Sequence, residues 1–201
     1  MRKPLMIYIV VMCLVSCQFC PKNPIKIDQL PAIYPDYVGV SIPIDIAPLN
    51  FNYIGGDFDC MDVVVKGSKE GILHSNGNVA EFDINDWHDL TEKNKGGRLV
   101  FTVCVERDGK WMQFRDFDIF VSRYPLGEYG LTYRKIAPGY EVYSKMGIYQ
   151  RDLSNYDESA IFENTNVPGA CVNCHTSNRT DPHEFTFHIR GSHGATLVDI
   201  N

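Results

Sequence analysis

The clearest pattern along the chain is the alternation of apolar and polar residues on both sides of Asp108-Gly109. A period of two residues is typical of a strand with one buried face. Asp-Gly favours a two-residue turn, because both positions tolerate a positive φ. We therefore predict a β-hairpin whose arms are residues 98–107 and 110–122.

Shorter apolar runs before this hairpin predict further strands at 62–66, 72–74 and 79–82, with Asn76-Gly77 as a second hairpin turn. Residues 38–51 carry two prolines and are typical of an edge strand or an extended loop. A short helix is expected within 85–95, closed by Gly96-Gly97. Short strands at this spacing predict a mainly β protein with a β-sandwich domain at residues 34–122.

Residues 123–168 differ, because tyrosines are scattered there among glycine, proline and charged residues without a sustained period. We interpret the segment as a long connector that packs on the sandwich through its aromatic rings. The alternative is a surface on which sugar rings stack. Ser154 or Asn155 is suited to cap a short helix within 154–163.

The first 16 residues resemble a lipoprotein export signal. Arg2 and Lys3 precede an apolar stretch at 5–15 that is too short to span a bilayer. The sequence Leu14-Val15-Ser16-Cys17 resembles a lipobox, in which the chain is cleaved before the cysteine and the thiol carries lipid. An ordinary signal peptide with an incidental cysteine is the alternative. Residues 17–33 contain three prolines and predict an extended tether.

Composition narrows the function classes. The chain has 201 residues, a formal net charge of −6 and 19 Lys+Arg against 25 Asp+Glu, so it has no surplus of positive charge to neutralise nucleic-acid phosphates. Its seven cysteines are an odd number, so disulfides alone cannot use all of them.

The sequence Cys171-Val172-Asn173-Cys174-His175 is a C-x-x-C-H motif, which is the attachment signature of c-type haem. Two thiols at this spacing on one local turn can reach the two vinyl groups at one edge of a porphyrin, and His175 then serves as the proximal iron ligand. Three alternatives use the same cysteines: a redox-active pair, a structural zinc site and a plain disulfide.

A sixth iron ligand is expected among the residues around the motif. The run 184–190 alternates with period two and predicts a strand with Phe185, Phe187 and Ile189 on one face and His188 on the other. We predict His188 as the distal ligand and Met146 as the alternative, with His183 and His193 as weaker candidates. Arg190 and Arg179 are candidates for contacts with the haem propionates.

Together these segments resemble a group of lipid-anchored C-x-x-C-H lipoproteins from Gram-negative anaerobes, often labelled cytochrome c biosynthesis or Tol-type propeller proteins. The resemblance rests on the lipobox and on four segments in this order: 34–37 (YPDY), 46–51 (IAPLNF), 171–175 (CVNCH) and 187–191 (FHIRG). In that group a β-propeller commonly follows the cysteine motif. Here residues 195–200 are similar to an early propeller strand, so relative to that group we expect a truncated or split version without the propeller.

These features predict four regions: a lipoprotein signal (1–16), a tether (17–33), the β-sandwich (34–122), and a C-terminal part (123–201). That last part comprises the tyrosine-rich connector, an irregular haem-binding segment and a terminal β-hairpin. We expect a lipid-anchored protein with one covalent haem c, exported to the periplasm or outer membrane. There it would transfer electrons or sense a ligand. Its partner would be an unknown redox or envelope protein. We read no catalytic constellation from the sequence and therefore do not expect an enzyme. The alternative is a haem-free lipoprotein whose sandwich binds a glycan or an envelope protein.

Overall fold

The computed structural model describes residues 21–127, 130–136, 145–178, 181–191 and 193–200. The protein is mainly β, as predicted. Its strands are β1 (Ile25–Lys26), β2 (Ile33–Tyr34), β3 (Ser41–Ile42), β4 (Phe51–Tyr53), β5 (Cys60–Gly67), β6 (Ile72–Gly77), β7 (Val79–Ala80), β8 (Arg98–Arg107), β9 (Lys110–Gln113), β10 (Phe117–Val121), β11 (Gly130–Ile136), β12 (Met146–Asp152), β13 (Glu158–Glu163), β14 (Cys171–Asn178), β15 (Asp181–Arg190) and β16 (Ala195–Ile200). The helix α1 (Ile84–Lys93) lies between β7 and β8, and a 3-10 turn spans Asn164–Asn166.

The N-terminal part is built on a large sheet of seven strands, in which β8 pairs with β5 along one edge and with β9 and β10 along the other. Strands β2, β4 and β7 form a separate small sheet. Apolar residues from both sheets and from α1 form one core. Phe101 on β8 has its ring centroid 6.3 Å from Phe51 on β4 and 6.4 Å from Trp87 on α1. These contacts join both sheets and the helix around one aromatic ring.

The predicted hairpin at Asp108-Gly109 is confirmed. Asp108 and Gly109 have φ values of 52° and 70°, the conformation that a type I′ turn requires. The second arm is interrupted at residues 114–116 and therefore forms two strands, β9 and β10.

The predicted helix is also present, and Asp83 caps it by accepting hydrogen bonds from the backbone N–H groups of Asn85 and Asp86. The hairpin predicted at Asn76-Gly77 is wrong. Asn76 and Gly77 are the last residues of strand β6, which pairs with β5 in the large sheet, whereas β7 pairs with β4 in the small sheet. Gly77 has a φ of 145°, and the chain crosses there from one sheet to the other. The two strands do not pair with each other, because their pairing partners are distant in sequence.

Three expectations for the C-terminal part need correction. The tyrosine-rich connector contains a three-stranded antiparallel sheet, here called the middle sheet, made of β11, β12 and β13. The helix expected within 154–163 is absent from these described residues, where β13 forms instead. The segment 171–178 is not irregular, because it forms strand β14. Its backbone pairs with the amphipathic strand β15, which also forms the predicted terminal hairpin with β16.

Strands β14, β15 and β16 form the C-terminal sheet. It packs on the middle sheet through Ile148, Val172, Phe187 and neighbouring apolar residues. The middle sheet in turn is joined to the N-terminal part, since the Tyr156 hydroxyl donates a hydrogen bond to the Pro48 carbonyl at 2.6 Å. No helix among the described residues is long and apolar enough to cross a membrane.

Candidate functional site

The C-x-x-C-H motif occupies the first five residues of β14, and a β-bulge interrupts the strand within it. Val172 is paired with Ile189 and His175 with Phe187, so that Asn173 and Cys174 together lie against the single residue His188. A bulge of this kind adds one residue to one strand and reverses the alternation of side chains after it. Because of it, cysteines three positions apart can lie on the same side of a strand.

Both thiols lie on the outer side of the C-terminal sheet. Cys171 is paired with Arg190, which is exposed. Cys174 is also exposed, and the Arg190 guanidinium donates a hydrogen bond to its sulfur with Nη2 and Sγ 3.8 Å apart. Neither cysteine is in a disulfide. We call this side of the sheet the thiol face; it carries Cys171, Cys174, His188 and Arg190.

His188 lies on the thiol face, as the alternation of the sequence predicted. Its neighbours Phe187 and Ile189 are buried on the other side, with exposed fractions of 8% and 4%. The Nδ1 atom of His188 is 3.0 Å from the hydroxyl oxygen of Thr196. The structure therefore brings a histidine and an arginine to the same face as the two thiols.

His175 lies on the opposite side, which we call the inner face. It is paired with Phe187, and its ring centroid is 6.0 Å from that of Phe185. Its Nδ1 atom is 3.0 Å from the carbonyl oxygen of Asn173. His175 and the two thiols of the same motif are thus on different sides of the strand.

Met146 lies at the start of β12 and is buried, and its backbone N–H donates to the Asn164 side chain at 3.0 Å. It shares its side of β12 with Ile148, which packs against the inner face of the C-terminal sheet. The structure therefore does not bring Met146 to the thiol face.

The remaining predicted site residues include Cys17, Arg179 and His193. Cys17 and Arg179 lie outside the described residues. His193 is exposed in the turn between β15 and β16. Among the residues that the structure describes, no three His, Cys, Asp or Glu side chains come together as a ligand set for a metal ion.

A second group of polar and aromatic side chains lies on the outer side of the middle sheet. The sequence raised a sugar-stacking surface among these tyrosines but did not indicate which of them are neighbours. Tyr133 and Tyr149 are directly opposite on β11 and β12, with ring centroids 6.4 Å apart and planes inclined by 22°. The Tyr133 hydroxyl donates to Glu158, and the Tyr149 hydroxyl donates to Glu163 at 2.5 Å. The Lys135 ammonium is 2.6 Å from Glu158 and 5.1 Å from the centre of the Tyr149 ring.

Hydrogen bonds within this group shift the pKa values of its members. Hydrogen bonds from Lys135 and then from Tyr133 lower the pKa of Glu158, and the bond to Glu163 raises the pKa of Tyr149. A cavity of about 560 Å³ lies at the end of the sheet beside Lys135, Met146 and Tyr149. We call Tyr133, Lys135, Tyr149, Glu158 and Glu163 the tyrosine cluster.

A third polar group lies on the outer side of the large sheet. Asp62 is buried, its carboxylate is 2.5 Å from His74 Nε2, and it also accepts a hydrogen bond from Asn76. Cys104 is paired with Asp62 across the strands. Burial, and next the charge of Asp62, raise the pKa of Cys104 to about 12, so this thiol stays protonated and is a poor nucleophile. Cys60 and Cys104, both described, are not bridged to each other.

A comparison with protein families finds no family model that matches the chain, and a comparison with curated proteins finds no match.

Proposed function

We propose that this protein is a lipid-anchored monohaem protein of the bacterial cell envelope that passes single electrons. One observation carries the proposal: a bulge within the C-x-x-C-H motif puts two thiols on the same side of β14, together with His188 and Arg190. These are the residue types that a covalently held haem requires, namely two thioether donors, an iron ligand and a cation for a propionate.

The residues present fit the group on the thiol face. Cys171 and Cys174 would form the two thioethers, and neither thiol is used in a disulfide. His188 would offer Nε2 to the iron, because its other ring nitrogen is already bonded to Thr196. Arg190 would pair with a propionate. When bound, haem supplies an iron that gains and loses one electron reversibly.

His175 is the proximal ligand that the motif predicts, and Arg179 is a further candidate for a propionate contact. His175 contacts Phe185 on the inner face, so it reaches the thiol face only if β14 turns at its bulge. The proposal therefore assigns the ligand of the thiol face to His188 and tests His175 separately.

The direct test is to express the full chain together with haem-attachment machinery and to look for haem after denaturation. We expect peroxidase staining of the denatured band and an α-band in the reduced visible spectrum. The double variant Cys171→Ser/Cys174→Ser should lose both signals, whereas Asn173→Ala, an exposed change within the same motif, should keep them. A wild-type chain without covalent haem would refute the proposal.

Replacing each histidine separates the two ligand roles. His188→Ala should convert a low-spin ferric spectrum to a high-spin one, since a coordination position is vacated. A low-spin spectrum requires two strong-field axial ligands, so His175→Ala should do the same if His175 is the second of them, which requires β14 to turn at the bulge in the haem-bound protein. An unchanged low-spin spectrum in His188→Ala would move the assignment to another residue.

The lipid anchor at Cys17 is the second part of the proposal. It is supported by the apolar segment at 5–15 and the small residue before the cysteine. Metabolic labelling with a radioactive fatty acid, followed by partition into detergent, tests it. Cys17→Ser should lose the label and move to the aqueous phase, whereas Cys174→Ser should keep the label.

The tyrosine cluster favours a second candidate function, which is glycan binding. Two neighbouring tyrosine rings on an open sheet face, with carboxylates and an ammonium at their edges, offer stacking and hydrogen bonds together. We expect Tyr149→Ala to abolish binding of pyranosides in a glycan array, and Tyr124→Ala, which removes an exposed ring outside the cluster, to preserve it. No binding of wild type to any pyranoside would exclude this function.

A further inference from the structure

Thr196 and His188 form a cross-strand pair on the thiol face. They are directly opposite in the register of β15 and β16, and Nδ1 of His188 is 3.0 Å from the Thr196 hydroxyl oxygen. The next hydroxyl along the pair of strands behaves differently, because Thr186 donates to the backbone carbonyl of Leu197. Of these two threonines, Thr196 is the one whose hydroxyl is hydrogen-bonded to an imidazole, that of His188.

The pair limits what His188 can present to a ligand. A hydroxyl that is hydrogen-bonded to Nδ1 restrains rotation of the imidazole ring about the Cβ–Cγ bond of His188. It leaves Nε2 as the outward nitrogen. When Nε2 binds a metal, Nδ1 carries the proton and donates a hydrogen bond to its neighbour, which fixes both the tautomer and the orientation of the ring. A hydroxyl oxygen accepts that bond well.

We propose that Thr196 is a positioning residue for His188: its hydroxyl holds the imidazole by Nδ1, so that Nε2 is the nitrogen available to the iron of a haem that Cys171 and Cys174 would hold. The inference rests on the proposed function, because it needs haem on the thiol face. It goes beyond that function by assigning a role to β16, which contributes neither a thiol nor an iron ligand.

The experiment uses the haem-loaded full chain and compares Thr196→Val, which keeps the shape of the side chain and removes the hydroxyl, with Thr196→Ser, which keeps the hydroxyl. External imidazole competes with His188 for the iron, and the ferric spectrum reports the exchange. Losing one hydrogen bond should raise the apparent affinity for external imidazole about fivefold in Thr196→Val. Thr196→Ser should behave like wild type, and His188→Ala sets the upper limit.

A measurement on the haem-free chain separates the two hypotheses. The side-chain ¹⁵N signals of His188 should be displaced in Thr196→Val and restored in Thr196→Ser. Wild type that takes up no haem overturns the proposed function, and this inference with it, whatever the ¹⁵N signals show. Wild type that takes up haem, with the same imidazole affinity in Thr196→Val, overturns the role of Thr196 alone. Unchanged ¹⁵N signals in Thr196→Val also overturn it.

Discussion

Replacing Val172 by alanine is expected to weaken the C-terminal sheet by about 2 kcal/mol, although both cysteines of the C-x-x-C-H motif remain. Val172 is fully buried, and it packs in one cluster with Ile148 and Phe187 between the C-terminal and middle sheets. The change removes two methyl groups, worth ~1.6 kcal/mol at ~0.8 kcal/mol each. Incomplete collapse of the vacated space adds a few tenths more.

Hydrogen exchange of the β14 and β15 amides measures this local loss directly. A decrease of about 2 kcal/mol makes the opening constant about 30-fold larger, so these amides should exchange about 30-fold faster in Val172→Ala. The matched control is Asn173→Ala, because Asn173 is the exposed neighbour in the same motif. Equal exchange in the two variants would mean that Val172 does not anchor the motif to the core, and the strand assignment of the motif would fail with it.

Three further predictions concern the N-terminal part. Asn94→Ala should lower the free energy of unfolding in urea by about 3 kcal/mol, because the buried Asn94 side chain bonds the backbone of Lys69, Glu70 and Leu90 at 2.7–2.9 Å; a loss below 1 kcal/mol would contradict this. Cys104 should resist iodoacetamide at pH 8 while Cys174 reacts. Because the pKa of Cys104 is raised, its contribution to the free energy of unfolding should be complete below pH ~9 and lost toward pH ~12. Equal labelling of the two cysteines, or a free energy of unfolding that stays constant between these pH values, would contradict the burial of Cys104. Gly109→Ala should cost about 1 kcal/mol, because Gly109 has a φ of 70°, and an unchanged melting temperature would refute the turn assignment.

Features that depend on neighbours in sequence could be predicted from the sequence. The Asp108-Gly109 turn and the short helix expected within 85–95 are local, because a few residues determine the backbone conformation there. The alternation along β15 predicted which residues are buried, since Phe185, Phe187 and Ile189 are apolar and His188 is not. That alternation also predicted the face on which His188 lies.

Features that depend on partners distant in sequence could not be predicted from the sequence. Asn76-Gly77 has the composition of a hairpin turn, but Val79 pairs with Asn52 in another sheet. The middle sheet escaped prediction because its outer side carries tyrosines and charged residues and its strands contain few apolar residues in alternation. Tyr133 and Tyr149 are neighbours only through the register of β11 and β12.

The bulge in β14 decides the geometry of the motif, and it too depends on a partner strand. On a regular strand, residues i and i+3 point to opposite sides, so Cys171 and Cys174 would be separated. In the register with β15, β14 has one extra residue opposite His188. This extra residue puts both thiols on the thiol face and His175 on the inner face. On a single helical turn, a C-x-x-C-H sequence would supply both attachment and ligation. On this strand the two tasks divide, so a haem held by the thiols must either draw its iron ligand from β15 or unpair β14 at the bulge. Comparing His188→Ala with His175→Ala decides between these two outcomes.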